Sequence, residues 1–455
     1  MIYRFVRALW RAALFGFFRR VDVQGRGNVP ERGPVLFVAN HTNAFVDPLL
    51  IITRIERPVT LTAKSTLKRN PLLRLLMRAL NVVEFHRAQD VEQGADPAKN
   101  VDALSACRRR LAEGGAVCIF PEGVSHSDPG LRPFKTGAAR IALDFVAHHP
   151  SLAVVPVGLH FEAKERFRSA AGIVFGEPFD AGEWRRAHPE AGPRELTDLV
   201  EARIRELTTS YAAERDVETF TRAAELLEVA GVPPAPLGRE EPADVAGRVR
   251  TIHRLQAGRE RLARERREEL AALEGRLAGL YGELGRLGIT APELFLPVEP
   301  GRAAFFVFRE LELLLVGLPI AAWGTVNHWL PYGVLKALVR KMSTDRDHFA
   351  SNAVFLSLPV FPLFWALQIL AVAVLATPFW TVLYALSLPY AGAVALLYRD
   401  RAGGAWRRAR TFLLFVRRPE ARRKLVAEAR AIDAEIRRLA AEWEAQPAAP
   451  ASSAM

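Results

Sequence analysis

Short apolar runs alternate with helical periodicity from Val35 to Gly176, and the runs at 35–40, 59–63, 82–86, 116–120, 152–158 and 172–176 predict strands. Strands alternating with helices in this way form a largely parallel sheet with flanking helices, the α/β class. The helix expected from Pro48 has a clear start, with Asp47 placed to cap it and a proline in its first turn. We assign residues 31–228 to this domain. Residues 1–30 form an amphipathic helix and lead-in, since Phe5, Leu9, Trp10, Ala13, Phe17 and Phe18 can share one helical face edged by arginines, as suits a membrane surface.

The pattern changes at 229–242, where Pro233, Pro234, Pro236 and Pro242 mark a linker. In the charged segment 243–300, Leu270, Leu273, Leu277, Leu280, Leu284 and Leu287 follow a three–four spacing and predict a helix with a coiled-coil-like seam. Leu425, Ala429, Ile432, Ile436, Leu439 and Trp443 form a second seam in the basic amphipathic segment 401–445. Pairing of the two seams within one chain is the economical arrangement, and self-association between chains is the alternative. Residues 446–455 have the composition of a disordered tail.

Between the seams, 301–400 is a hydrophobic, transmembrane region. Segments 353–377 and 379–398 each reach the roughly 20 residues that cross a bilayer, and they meet at Thr377–Pro378, so 353–398 reads as a hairpin. Segment 311–335 predicts two short re-entrant or interfacial helices broken at Pro319 and Pro331, with a third span as the alternative.

Charge sharpens this picture. Lys and Arg number 62 against 50 Asp and Glu, a net charge of +12, which favours an anionic partner. Basic residues crowd the apolar segments and no nucleic-acid module is recognisable, so anionic membrane lipids are expected and nucleic acid is not. Lys336, Arg340 and Lys341 precede the hairpin, and Arg399, Arg401, Arg407 and Arg408 follow it. Both ends should therefore face the cytoplasm, and the α/β domain with them. Arg4, Arg7 and Arg11 interrupt the N-terminal apolar residues and no small-residue cleavage site follows, so a signal peptide is not expected. Cys107 and Cys118 lack disulfide or metal spacing and read as small buried residues.

The candidate chemistry lies where two strands end. VLFVANHTNAFVDPLL, residues 35–50, places His41 and Asp47 in the loop after a strand, and a histidine paired with a carboxylate is what a general base requires. AVCIFPEGVSHSDPGLRPFKTGAA, residues 116–139, carries a second strand into a loop of glycine, acid and base. Open α/β sheets place their sites at such carboxyl ends. An ideal helix does not put residues six apart, such as His41 and Asp47, on one face, so the loop after Asn40 must bend back onto the helix start.

Four ordered blocks resemble the glycerolipid (phospholipid/glycerol) acyltransferase family over about residues 1–210: Asn40-His41 with Asp47, Phe85-His86-Arg87, Phe120-Pro121-Glu122-Gly123, and Val155-Pro156-Val157. Five residues separate His41 from Asp47, where most of the family has four, and Glu122-Gly123 continues into Val124-Ser125-His126 in place of Thr-Arg-Ser. These departures, with Asp47-Pro48, Arg166-Phe167-Arg168-Ser169 and Phe175-Gly176-Glu177-Pro178, are similar to the branch containing fungal-type glycerol-3-phosphate and dihydroxyacetone-phosphate acyltransferases.

The resemblance implies transfer of an acyl group from acyl-CoA or acyl carrier protein to a glycerol-phosphate acceptor. Glycerol 3-phosphate or dihydroxyacetone phosphate leads, and a lysophospholipid such as 1-acylglycerol 3-phosphate is the alternative. His41 would take the acceptor proton and Asp47 would hold the imidazole; Arg87 would bind phosphate; Glu122 and Gly123 would bind the acceptor. Lys64 and Lys135 are further cation candidates, and, with Thr-Arg-Ser missing, Ser125, His126 or Arg132 would replace the family's second phosphate contact. No metal or cofactor beyond the acyl donor is expected. A metal site of His41, Asp47, Glu122 and His126 matches no ligand spacing, and a Ser125–His126 hydrolase lacks the nucleophile elbow. A catalytically silent membrane scaffold is the reading from a different class, and it has no need of a base. The chemistry is complete by about residue 180, so the remainder is expected to position the domain on the bilayer.

Overall fold

Val35–Ala39 (β2) is buried along its whole length, with Val35, Phe37 and Ala39 facing one core and Leu36 and Val38 the other. Only a central strand covered on both faces can be apolar at every position. In the computed structural model, which describes residues 2–65, 77, 82–85, 100–231, 244–296, 300–343 and 345–444, it is the fourth strand of an eight-stranded sheet. The others are β1 (Arg20–Gln24), β3 (Val59–Lys64), β4 (Val83–Phe85), β5 (Ala116–Ile119), β6 (Ala153–Phe161), β7 (Ala170–Phe175) and β8 (Phe179–Asp180). The order is β1-β7-β6-β2-β5-β3-β4, with β8 on β6; all pairings are parallel except those of β6 with β7 and β8.

The expected strands are all present, and two more join them, β1 in the lead-in and the two-residue β8. Arg20–Gln24 pairs in parallel with β7, so the N-terminal segment is part of the sheet. Its polar–apolar alternation is too short to announce itself in sequence. Helix α1 (Ile2–Phe17) is likewise no free surface helix: Trp10, Leu14 and Phe17 are buried in the core, while Phe5, Leu9 and Phe15 remain exposed.

The chain divides into two units, Met1–Ser210 with Pro242–Ala246 and Ala322–Leu396, and Tyr211–Glu241 with Gly247–Ala321 and Leu397–Met455. In the second, helices α7 (Glu214–Ala230), α9 (Arg267–Leu287) and α14 (Pro419–Glu444) share one core, in which Leu277, Leu280 and Leu284 meet Leu425, Ala429 and Ile432. The two leucine-rich seams thus pair within the chain. Arg276 crosses between them to Glu428 at 2.7 Å and to Glu435.

Segment 311–335 differs from the expectation. It lies inside one continuous helix, α11 (Pro300–Met342), with no break at Pro319 or Pro331. Proline's fixed φ is helical, and the hydrogen bond it forfeits does not by itself end a helix. Helices α12 (Arg346–Leu375) and α13 (Pro378–Arg417) are the two in the described residues long and apolar enough to cross a membrane. Their hinge at Ala376–Thr377 matches the expected hairpin turn, but α12 begins seven residues before 353. Leu370, Val374, Leu375 and Phe379 stay exposed. Polar groups pin the first unit's apolar helices together: Tyr384 donates to Asn327 Oδ1 at 2.6 Å, Gln368 to the Asn327 carbonyl at 2.8 Å, and Trp365 to His328 Nε2 at 3.0 Å.

Cys107 and Cys118 are buried and unpaired. Burial pushes the Cys107 thiol up to about 12 and raises Cys118 further, so neither forms thiolate near neutrality. Iodoacetamide at pH 7.5 should leave both unmodified in the native protein and alkylate both in denaturant. Labelling of either one in the native state, read by mass spectrometry, would contradict this burial.

Candidate active site

Register brings the two candidate loops together. Val38 of β2 lies beside Ile119 of β5, so the residues that follow, Asn40-His41 and Phe120 to Glu122, leave the same edge of the sheet side by side. Asn40 is buried and continues the sheet with its side chain: Nδ2 donates to the Leu159 carbonyl at 3.1 Å, and Oδ1 accepts from the Leu159 N–H at 2.7 Å. The chain then turns away from β6 and exposes His41.

The His41 ring stacks on Phe120 with centroids 4.3 Å apart, and its Nδ1 lies 2.9 Å from Asp47 Oδ2. A carboxylate only accepts, so Nδ1 carries the proton and Nε2 keeps a free lone pair. The same Asp47 oxygen accepts from the N–H groups of Thr42 at 2.8 Å and Asn43 at 2.7 Å. Asp47 was expected as the N-cap of a helix from Pro48. It is instead the second residue of α2 (Val46–Arg54), with Phe45 in the cap position, and its carboxylate binds back to the preceding turn. That turn is tight, with Ala44 at φ 36°. A left-handed alanine costs on the order of 1 kcal/mol, and the bonds to Asp47 help offset it.

Glu122 was expected to grip the acceptor, but both of its oxygens are engaged inside the protein. Oε1 accepts from the His41 N–H at 2.6 Å; Oε2 accepts from the Arg132 N–H at 2.9 Å and from His126 Nε2. His126 Nδ1 accepts from the Asp128 N–H at 3.2 Å, which places the ring proton on Nε2, facing Glu122. The carboxylate is fully buried and ties the His41 loop to the 122–132 loop. Gly123 follows at φ 75°, where a side chain would be strained and would collide with Lys135, whose Nζ comes within 2.7 Å of a Cβ built there.

These loops wall a cavity of about 870 Å³. His41, Ser125, Lys64, Arg132 and Lys135 line it, together with an apolar floor that includes Leu49, Leu61, Met77 and Phe355. Asp47 and Glu122 stand behind the wall. Arg132 also binds Asp128 at 2.7 Å, which holds that carboxyl below its usual range. Lys164 donates to the His126 carbonyl at 3.3 Å, and burial pushes its ammonium down against the pull of Asp47, Asp347 and Glu122. His86 and Arg87 lie outside the described residues, so the expected phosphate grip has no geometry here.

Sequence reading missed the contribution of α12. Ser351 Oγ accepts from the Val46 N–H at 3.3 Å and donates to the Asn43 carbonyl at 3.2 Å, clamping the turn between His41 and Asp47. One turn earlier, Asp347 accepts from Ser125 Oγ at 2.6 Å. Phe355 packs edge-on against Trp10 and Phe45. The only signal in the sequence was two polar residues four apart at the mouth of an apolar helix, which share a face.

Residues 20–160 match the family model described as Acyltransferase, and they carry every one of these sheet-end loops. The α/β domain is thus similar to acyltransferases over residues 20–160. The chain is similar to an uncharacterized acyltransferase of Schizosaccharomyces pombe, 26% identical over 275 residues that cover 42% of this chain and 39% of the relative. It is also similar to glycerol-3-phosphate O-acyltransferase 1 of Saccharomyces cerevisiae, 26% identical over 294 residues covering 45% of this chain and 38% of the relative. A chloroplastic 1-acyl-sn-glycerol-3-phosphate acyltransferase of Brassica napus is 28% identical over 173 residues, 38% of this chain and 46% of that one. The matches thus span about two fifths of the length of the two fungal relatives.

Proposed function

We propose that the chain is a membrane-bound O-acyltransferase that acylates glycerol 3-phosphate or dihydroxyacetone phosphate from an acyl thioester, acyl-CoA or acyl carrier protein. One observation carries the reading: His41, with its Nδ1 proton held by buried Asp47, presents Nε2 in a cavity that combines an apolar floor with Lys64, Arg132 and Lys135. A base, a cationic wall for phosphate and an apolar surface for an acyl chain are the three things this transfer needs.

In the reaction, His41 Nε2 takes the proton of the acceptor hydroxyl as its oxygen attacks the thioester carbonyl. The tetrahedral adduct collapses with loss of the C–S bond, and the imidazolium returns the proton to the leaving thiolate. Asp47 stabilises the transient imidazolium, as in other histidine–carboxylate pairs. Glu122 acts indirectly, by holding the His41 backbone. The scheme needs no metal or cofactor beyond the acyl donor. A second reading, acylation of 1-acylglycerol 3-phosphate, is favoured by the same apolar floor, which suits an acyl chain on the acceptor equally well. The α12–α13 hairpin would hold the domain on the cytoplasmic face of the bilayer, with anionic lipids against the basic flanks.

The test is an acceptor screen on the purified full chain, using one radiolabelled long-chain acyl-CoA and the matching acyl carrier protein. Labelled acylglycerol phosphate is the expected product. Absence of acylation on every glycerol-phosphate and lysophospholipid acceptor, with both donors, would overturn the proposal.

A further inference from the structure

Ser125 lines the cavity, and its hydroxyl proton is committed to Asp347 Oδ2 at 2.6 Å. Since a carboxylate cannot donate, this bond fixes the hydroxyl's direction, and toward the cavity Ser125 offers lone pairs only. Asp347 is buried, held in the first turn of α12, whose next turn is clamped to the His41 loop through Ser351. The acceptor-only state of Ser125 is therefore set by a residue 222 positions away, at the start of a candidate membrane helix.

We propose that the Asp347–Ser125 pair makes the site select an acceptor with a second free hydroxyl, glycerol 3-phosphate, over dihydroxyacetone phosphate and 1-acylglycerol 3-phosphate. The inference rests on the acyltransferase reading above and narrows it. While His41 activates one hydroxyl of glycerol 3-phosphate, the neighbouring hydroxyl donates to Ser125. Dihydroxyacetone phosphate has a carbonyl oxygen at that neighbouring carbon. In 1-acylglycerol 3-phosphate the neighbour of the attacked hydroxyl is an ester oxygen. Each can only accept, and acceptor facing acceptor in a partly desolvated site leaves both unpaired. The cationic wall of Lys64, Arg132 and Lys135 serves the phosphate, which all three molecules share, and so cannot discriminate among them.

The experiment measures kcat/KM of the full chain in detergent for the three acceptors with a single acyl donor. Glycerol 3-phosphate should exceed dihydroxyacetone phosphate by about 10-fold or more, the scale of one hydrogen bond against an unpaired acceptor. Ser125→Ala should cost glycerol 3-phosphate about 10-fold and change dihydroxyacetone phosphate by less than about threefold, so that the preference collapses. Asp347→Ala frees the Ser125 proton to turn inward and should raise dihydroxyacetone phosphate relative to glycerol 3-phosphate, whereas Asp347→Glu should restore the original order. Ser125→Ala changes no residue of α12 and keeps the Ser351 clamp on the His41 loop, so the ratio is readable even if the Asp347 variants fail to fold. Acylation without the preference, or a preference that Ser125→Ala does not move, overturns this inference alone. No acylation of any of the three, with acyl-CoA or with acyl carrier protein, overturns the glycerol-phosphate acyltransferase reading and this inference with it.

Discussion

His41→Ala should lower acyl transfer by about 10²–10⁴-fold with the fold intact, the range for removing a general base. The side chain is partly exposed and, among the described residues, stacks only on Phe120, so truncating it takes little from the core. Asp47→Asn should be comparably severe by a different route. An amide can donate toward Nδ1, which lets the imidazole place its proton on Nε2, and a protonated Nε2 cannot act as base. Turnover of the two variants, measured with circular dichroism as a control, decides the matter. If His41→Ala keeps more than about a tenth of wild-type turnover, general-base catalysis is lost from the account.

The sheet-end loops were legible in sequence because their signals are local. A short apolar run rich in β-branched residues, such as VLFVA bounded by polar loops, reads as a doubly buried strand, and a strand that stops at Asn40-His41 delivers those residues to the sheet's edge. What was not legible depends on closure between distant segments. The position of Asp47 in the helix was misjudged because Asp-Pro is the usual signature of a cap, and only the folded turn, with Ala44 strained and Ser351 clamping it from α12, shows the carboxylate bound backward to Thr42 and Asn43. Likewise nothing near Ala353 announces that the hairpin's first helix starts at Arg346 and places Asp347 against Ser125. The C-terminal part was expected only to position the domain on the bilayer. Its first turn contributes side chains to the site itself.

Glu122→Ala should act on turnover far more than on acceptor affinity, and this separates two roles that sequence alone could not. If the carboxylate gripped a polyol hydroxyl, its loss would raise the acceptor KM and spare kcat, the signature of uniform binding. The geometry argues otherwise. Glu122 holds the His41 N–H, the Arg132 N–H and the His126 ring, and it has no place on the cavity wall. Without it, the buried His126 ring loses its acceptor, at roughly 1–3 kcal/mol, the part-buried His41 and Arg132 amides lose theirs at a smaller cost, and the His41 loop is released from the 122–132 loop. A base displaced by about 1 Å can forfeit on the order of 100-fold in rate, so kcat should fall about that far while KM changes by less than about threefold. Hydrogen exchange should report the cause directly, with faster exchange at the His41 and Arg132 amides and none of the same change at β6 amides away from the loop. Glu122→Gln, which keeps an acceptor for one of the two backbone amides, should fall between the wild type and Glu122→Ala. A rise in KM with kcat preserved would return Glu122 to the acceptor-binding role that the resemblance assigned it.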